Sequence, residues 1–211
     1  MMPIESLLAF TLASFLLSIA PGPDNIFVLA QSALYGRKSG ILVVLGLCTG
    51  LVAHTTAVAL GIAVVFQTSV IAFTLLKLLG ALYLLYLAWQ AFHAPATALG
   101  TLHSNIRSSR ALYLRSIIIN ITNPKVSIFF LAFLPQFSSP ENGPLMPQIF
   151  LLGGVFILVA LVTFSIIALL AGELGNWFHR SPKIQRYLNR LAGAVFVGLA
   201  LKLVTASLDG E

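Results

Sequence analysis

The stretches PGPDN at residues 21–25 and NITNPK at residues 120–125 each interrupt a long apolar segment. Proline lacks the backbone N–H that continues a helix and glycine loosens the chain, so we expect a helix to stop at each stretch. The residues that set these breaks are Pro21, Gly22, Pro23 and Pro124. A helix that stops inside a membrane leaves backbone groups that must meet protein, water or cargo. Paired breaks of this kind are typical of transporters.

The composition is that of an integral membrane protein. Of the 211 residues, 58% are hydrophobic and 9% are charged, against about 25% charged in soluble domains. A helix needs about 20 apolar residues to cross the hydrocarbon core of a bilayer. Stretches of that kind lie at residues 4–33, 40–66, 70–92, 112–137, 146–172 and 188–208. They predict an all-α polytopic membrane protein with six transmembrane helices, the first and fourth interrupted at the prolines.

These stretches leave no room for a soluble domain, so we expect a single membrane domain over residues 1–211. The polar segment 94–111 is too short and too poor in apolar residues to form a core, and we interpret it as a linker. Cys48 is the only cysteine, which excludes a disulfide and a cysteine-rich metal site. No cofactor and no metal are expected.

The basic residues flank alternate ends of the apolar stretches. Nine of the twelve Lys and Arg follow the first, third and fifth stretches, whereas residues 67–69 and 138–147 contain none. By the positive-inside rule, this pattern predicts that both termini face outward and that the linker lies inside. The net charge of +6 therefore indicates membrane topology, and nucleic acid is not an expected partner.

The two halves of the chain resemble each other. The sequence IFVLA at residues 26–30 recurs as IFFLA at residues 128–132, in each case just after a break. KLLGALY at residues 77–83 matches RLAGAVF at residues 190–196. We interpret residues 1–93 and 112–211 as two three-helix repeats. A unit with an odd number of spans inserts its second copy upside down, which predicts inverted repeats whose broken helices meet near the bilayer midplane.

Each break contains one charged residue. A charged side chain at membrane depth costs about 2.5–3.5 kcal/mol on insertion scales, so function is the default explanation. Asp24 could bind a cargo ammonium group or a proton; the alternative is an N-cap for the following half-helix. Lys125 could bind a cargo carboxylate or pair with Asp24; the alternative is that its stem carries the charge to the cytoplasmic headgroups.

Neutral polar residues surround these charges. Asn25, Asn120 and Asn123 can cap the helix ends or contact cargo. His54 is the only histidine inside a predicted span, and it is a candidate proton carrier or the partner of a neighbouring helix.

Other polar residues within the spans suggest structural roles. Lys77 and Lys202 are expected to extend toward the outer headgroups. Tyr83, Tyr86 and Trp89 follow helical spacing and are expected to pack or to anchor the helix at the inner interface.

Taken together, the two breaks resemble those of the LysE/RhtB family of bacterial amino-acid exporters, with the second running into FFLAFLPQF at residues 129–137. The likeness covers nearly the whole chain. It implies a protein of the bacterial inner membrane that exports amino acids or close derivatives, such as homoserine, threonine, leucine or lysine, in exchange for protons. The resemblance does not select one cargo, and it leaves a homo-oligomer open.

The resulting hypothesis is alternating access, in which Lys125 and the half-helix ends hold the cargo carboxylate while Asp24 and the asparagines hold the amino group. A transporter of a metal cation or a hydrophobic drug is one rival, and a non-transporting membrane scaffold is another. An enzyme is not expected, because the sequence shows no nucleophile with a base and no Gly-rich phosphate loop.

Overall fold

The computed structural model describes residues 2–68, 70–93, 108–180 and 182–205, and this part of the chain is helical without strands, as predicted. In chain order the α-helices are α1 (Ile4–Ile19), α2 (Pro23–Tyr35), α3 (Arg37–Thr68), α4 (Val70–His93), α5 (Ser109–Ile121), α6 (Pro124–Ile128), α7 (Leu145–Arg180) and α8 (Pro182–Thr205). Helix α5 begins at Ser109, so residues 109–111 of the segment that was interpreted as a linker are helical. The linker's residues 94–107 lie outside the described part.

The first break separates α1 from α2, whose axes differ by 56°. Helix α1 ends at Ile19, and α2 begins at Pro23 after an extended Gly22. Proline suits the first position of a helix because that residue's N–H has no intrahelical partner. The interruption therefore lies where the prolines stand.

The second break separates α5 from the helical segment Pro124–Phe137, with a bend of 49°. Helix α5 ends at Ile121, and Pro124 again begins the next helix. After α6 the chain forms a π-helix over Phe129–Phe133 and a 3-10 helix over Leu134–Phe137, whereas α2 is regular throughout. The halves thus differ in local structure after their breaks, and inverted repeats stay a prediction.

Two helices are individually long and apolar enough to cross a membrane, over Arg37–Gly61 and Leu145–Ala171. Each bent pair satisfies the same test as one interrupted span, which gives up to four candidates within the described residues. Helices α4 and α8 are each 24 residues long, but their described apolar parts, Leu78–His93 and Asn189–Leu201, are shorter than a full span. Six spans therefore remain a prediction.

Packing places α3 at the centre of the break region. It lies against α5 and α7, while α4 lies against α8 and α2 contacts both α3 and α7. Gly46 and Gly50 of α3 face α5, and a Cβ atom on Gly50 would lie 2.5 Å from Oδ1 of Asn120. The absence of a side chain at Gly50 therefore leaves the space that Asn120 occupies, as close helix approach at Gly-x-x-x-Gly predicts.

The buried core contains a cluster of aromatic rings next to the second break. Its members are Phe10, Phe129, Phe130, Phe133, Phe137 and Phe156. Rings of α1, the π-helix and α7 meet here in tilted and edge-to-face contacts, which are favourable arrangements for aromatic pairs. This cluster fixes the helical segment after Pro124 against the rest of the molecule.

Candidate functional site at the two helix breaks

The fold brings the two breaks together around Asp24. This carboxylate is 1% exposed. Its Oδ2 accepts a hydrogen bond of 2.8 Å from Nδ2 of Asn120, and its Oδ1 accepts one of 2.9 Å from Nδ2 of Asn123. Both donors belong to the second break, about a hundred residues further along the chain. The charge of the first break is therefore stabilised by the second.

Lys125 makes the reciprocal connection. Its buried ammonium group donates to the carbonyl oxygens of Ala20 at 2.9 Å and Leu17 at 3.2 Å. A third contact, of 3.5 Å, reaches Oδ1 of Asn25. A helix that ends leaves carbonyls without partners, and its dipole favours a cation there. The charge of the second break thus stabilises the interrupted end of α1.

The alternative of an extended lysine at the headgroups is wrong for Lys125, because its side chain is buried and points to α1. Lys77 and Lys202, which carried the same expectation, have side chains outside the described part of the structure. Within the described residues, Lys125 and Asp24 form no direct ion pair, because each charge is held by the partners given above.

Of the residues expected to cap the helices at the breaks, only some do so. Asp24 does not cap α2, since the N-cap is Gly22 and no side chain satisfies that end. Asn123 does cap its helix: Oδ1 accepts from the backbone N–H of Lys125 at 3.0 Å, while Nδ2 of the same side chain donates to Asp24. Asn25 turns back to α1 and donates to the carbonyl of Ser18 at 2.6 Å.

His54 reaches the same network from α3. Its Nε2 lies 3.3 Å from the backbone oxygen of Asn120, and its ring lies 5.6 Å from that of Phe130. This contact matches the expectation of a histidine bonded to a neighbouring helix; proton carriage stays a prediction. One connected set now contains the six residues that were selected as candidates for substrate binding or coupling, namely Asp24, Asn25, His54, Asn120, Asn123 and Lys125.

A small cavity adjoins this network. Its volume is about 10 Å³, and Ser18, Asp24, Asn120 and Lys125 contribute to its wall. Oγ of Ser18 and Oδ1 of Asn120 are buried and have no hydrogen-bond partner among the described residues. A space of that volume admits one group the size of a water molecule.

Lys125 also lines a larger cavity of about 490 Å³, which lies between the two breaks and α4. Small-molecule sites span roughly 300–1,000 Å³, so the volume suits a small cargo. Its walls include Pro21, Gly22, Pro23, Tyr83, Tyr86, Gln90, Asn123, Pro124 and Phe196. Residues of both breaks therefore line one cavity.

The α4 wall of this cavity was missed by sequence reasoning, which assigned Tyr83 and Tyr86 to packing or anchoring and did not consider Gln90. Two signals were available. Tyr83 and Phe196 occupy equivalent positions in the matched segments of the two halves, and both line the cavity. Gln90 is an uncharged polar residue on the same helical face as Tyr83 and Tyr86.

No three side chains of His, Cys, Asp or Glu lie close enough together to hold a metal ion in the part of the chain that the structure describes. The polar groups gathered at the breaks are side-chain amides, one carboxylate and one ammonium group, and the imidazole approaches them from α3.

The comparison with known proteins covers both breaks. Residues 15–207 match the family model described as LysE type translocator. The chain belongs to this family. The resemblance drawn from the two breaks is thereby confirmed.

Two relatives of this LysE-type chain match it over nearly their whole length. An uncharacterized membrane protein of Vibrio cholerae is 36% identical over 97% of this chain and 99% of the relative. A homoserine/homoserine lactone efflux protein of Salmonella typhimurium is 35% identical over 97% of this chain and 98% of the relative. A leucine efflux protein of the same organism is 28% identical, with 93% of each chain covered. No solved structure matches the chain.

Proposed function

We propose that this protein exports amino acids or close derivatives from the bacterial cytoplasm across the inner membrane, in exchange for protons and with both termini outside. The family match and the names of the homoserine and leucine efflux relatives support a transporter rather than an enzyme. The single observation that carries the site assignment is the crossed network in which each break holds the charge of the other, beside a cavity of about 490 Å³.

The cargo binds by replacing hydrogen bonds within this network with its own. Its carboxylate replaces the carbonyls of Leu17 and Ala20 at the Lys125 ammonium, because a hydrogen bond between two charged groups is stronger than one to a neutral carbonyl. Its amino group approaches Asp24 and the free Oδ1 of Asn120. The exchange at Lys125 removes the bonds that join the second break to the end of α1, and the halves then rock relative to each other as alternating access requires.

A proton resets the site. Protonation of Asp24 removes the charge that holds a cargo ammonium group and weakens the bonds from Asn120 and Asn123, which favours release. His54 is the second candidate for a proton, through its contact with the Asn120 carbonyl. Proton coupling predicts that an inward pH gradient, acidic on the external side, drives uphill export.

The test uses the full-length protein in proteoliposomes that are preloaded with leucine or homoserine and exchanged against labelled external amino acid. We expect exchange by the wild type and at least about a tenfold loss in Asp24→Asn, since the variant loses a charge-assisted interaction with the cargo. Glu5→Gln is the matched control, because Glu5 is exposed in the first turn of α1 and lies away from the breaks.

Folding of Asp24→Asn is checked by its elution profile and thermal unfolding. Exchange at the wild-type rate in folded Asp24→Asn would contradict the role of Asp24. Transport of a hydrophobic drug or a metal cation without any amino-acid exchange would favour the rival cargo classes, and the absence of all transport would favour a scaffold.

A further inference from the structure

The larger cavity has an uneven distribution of charge. Among the described residues of its wall, Lys125 is the only charged one, and none is acidic. The α4 and α8 side of the wall is built from Tyr83, Leu87 and Phe196 with the amide of Gln90. A cargo whose carboxylate is held by Lys125 therefore directs its side chain to an aromatic and apolar surface whose polar groups, the tyrosine hydroxyls and the Gln90 amide, are all neutral.

A cationic side chain is disfavoured in this surrounding. A charge removed from water needs a counter-charge or several hydrogen bonds, and the wall offers no carboxylate to a cargo lysine or arginine. An aliphatic or weakly polar side chain meets no such penalty and gains by contact with the rings.

We propose that the cavity selects amino acids with neutral side chains and that Gln90 and Tyr83 of α4 determine this selectivity. The inference rests on the proposed function and adds the substrate class and the residues that set it. Gln90 lies about two helical turns from Tyr83 on the same face of α4, so the two side chains cover successive levels of one wall.

The experiment compares leucine with lysine in the exchange assay, with the full-length protein at equal concentrations of the two amino acids. The wild type is expected to exchange lysine at least about tenfold more slowly than leucine, because lysine carries an unpaired charge into the cavity. Gln90→Glu supplies the missing carboxylate, and we expect it to raise the lysine-to-leucine ratio by about tenfold.

Two control variants separate charge from shape. Gln90→Met keeps the length of the side chain without a charge and is expected to keep lysine exchange low. Asn142→Asp adds the same charge in the short 3-10 helix Pro140–Asn142, away from the cavity, and is expected to leave the ratio unchanged.

The outcomes distinguish the selectivity from the proposed function. Lysine exchange as fast as leucine exchange in the wild type would overturn the selectivity, as would an unchanged ratio in active Gln90→Glu. If Gln90→Glu fails to fold, the wild-type ratio alone decides. A wild-type protein that exchanges neither neutral nor basic amino acids would instead overturn the proposed function on which the selectivity rests.

Discussion

At the scale of single residues, Lys125 shows what a sequence can and cannot reveal. Its position beside Pro124 in a broken span was enough to select it as a functional candidate. Its partners were not predictable, because the carbonyls of Leu17 and Ala20 precede it by more than a hundred residues and become neighbours only through helix packing. The same holds for Asp24, whose donors come from the other half of the chain.

Lys125→Met tests whether the hydrogen bonds from the Lys125 ammonium group to the end of α1 stabilise the protein. Methionine preserves the unbranched stem but leaves the carbonyls of Leu17 and Ala20 without their donor. We expect the unfolding free energy to fall by about 1–3 kcal/mol, the cost of leaving buried acceptors unpaired. Thermal unfolding in detergent measures the change. Lys38→Met is the control, because Lys38 is exposed at the start of α3; equal stability of both variants would contradict the contact.

At the scale of helices, the positions of the breaks follow from local chemistry, and so the sequence predicts them well. Proline occupies the first position of α2 and of α6. Its missing N–H and its ring prevent the preceding helix from continuing, whatever the distant residues are. The π-helix at Phe129–Phe133 was not predictable. Its residues form a plain apolar run in the sequence, and only the structure shows that rings of this segment pack against α1 and α7.

The close approach of α3 and α5 provides a prediction at this scale. In Gly50→Ala the new methyl group would lie 2.5 Å from Oδ1 and 2.8 Å from Cβ of Asn120, so the amide must move away from Asp24. We expect a loss of about 1–3 kcal/mol in stability from overpacking, together with slower exchange. Thermal unfolding and the proteoliposome assay measure the two effects.

Gly61→Ala is the matched control on the same helix, because its added methyl group would meet nothing within 4 Å. It is expected to be neutral or slightly stabilising, since alanine favours helix more than glycine does. Equal behaviour of Gly50→Ala and Gly61→Ala would show that the space beside Asn120 is not required.

At the scale of the whole molecule, we propose that the two breaks form one site, because the charged residue of each break is hydrogen-bonded by groups at the other break. Sequence reasoning placed Asp24 and Lys125 in equivalent breaks and expected them to face each other or a cargo. The structure adds that Lys125 bonds the end of α1, while Asp24 accepts bonds from the side-chain amides of Asn120 and Asn123. A cargo that binds both charges must therefore loosen the link between the breaks, which connects recognition to movement.

The most direct measurement of this claim is a double-mutant cycle of Asp24→Asn and Asn120→Ala on the rate of amino-acid exchange. Their side chains are joined across the breaks by a bond of 2.8 Å. We therefore expect the double variant to depart at least about threefold from the product of the single effects, as contacting residues do. Glu5 and Asn120 are not in contact, so the effects of Glu5→Gln and Asn120→Ala on the exchange rate are expected to multiply. Simple multiplication for Asp24→Asn and Asn120→Ala would contradict a single site formed by both breaks.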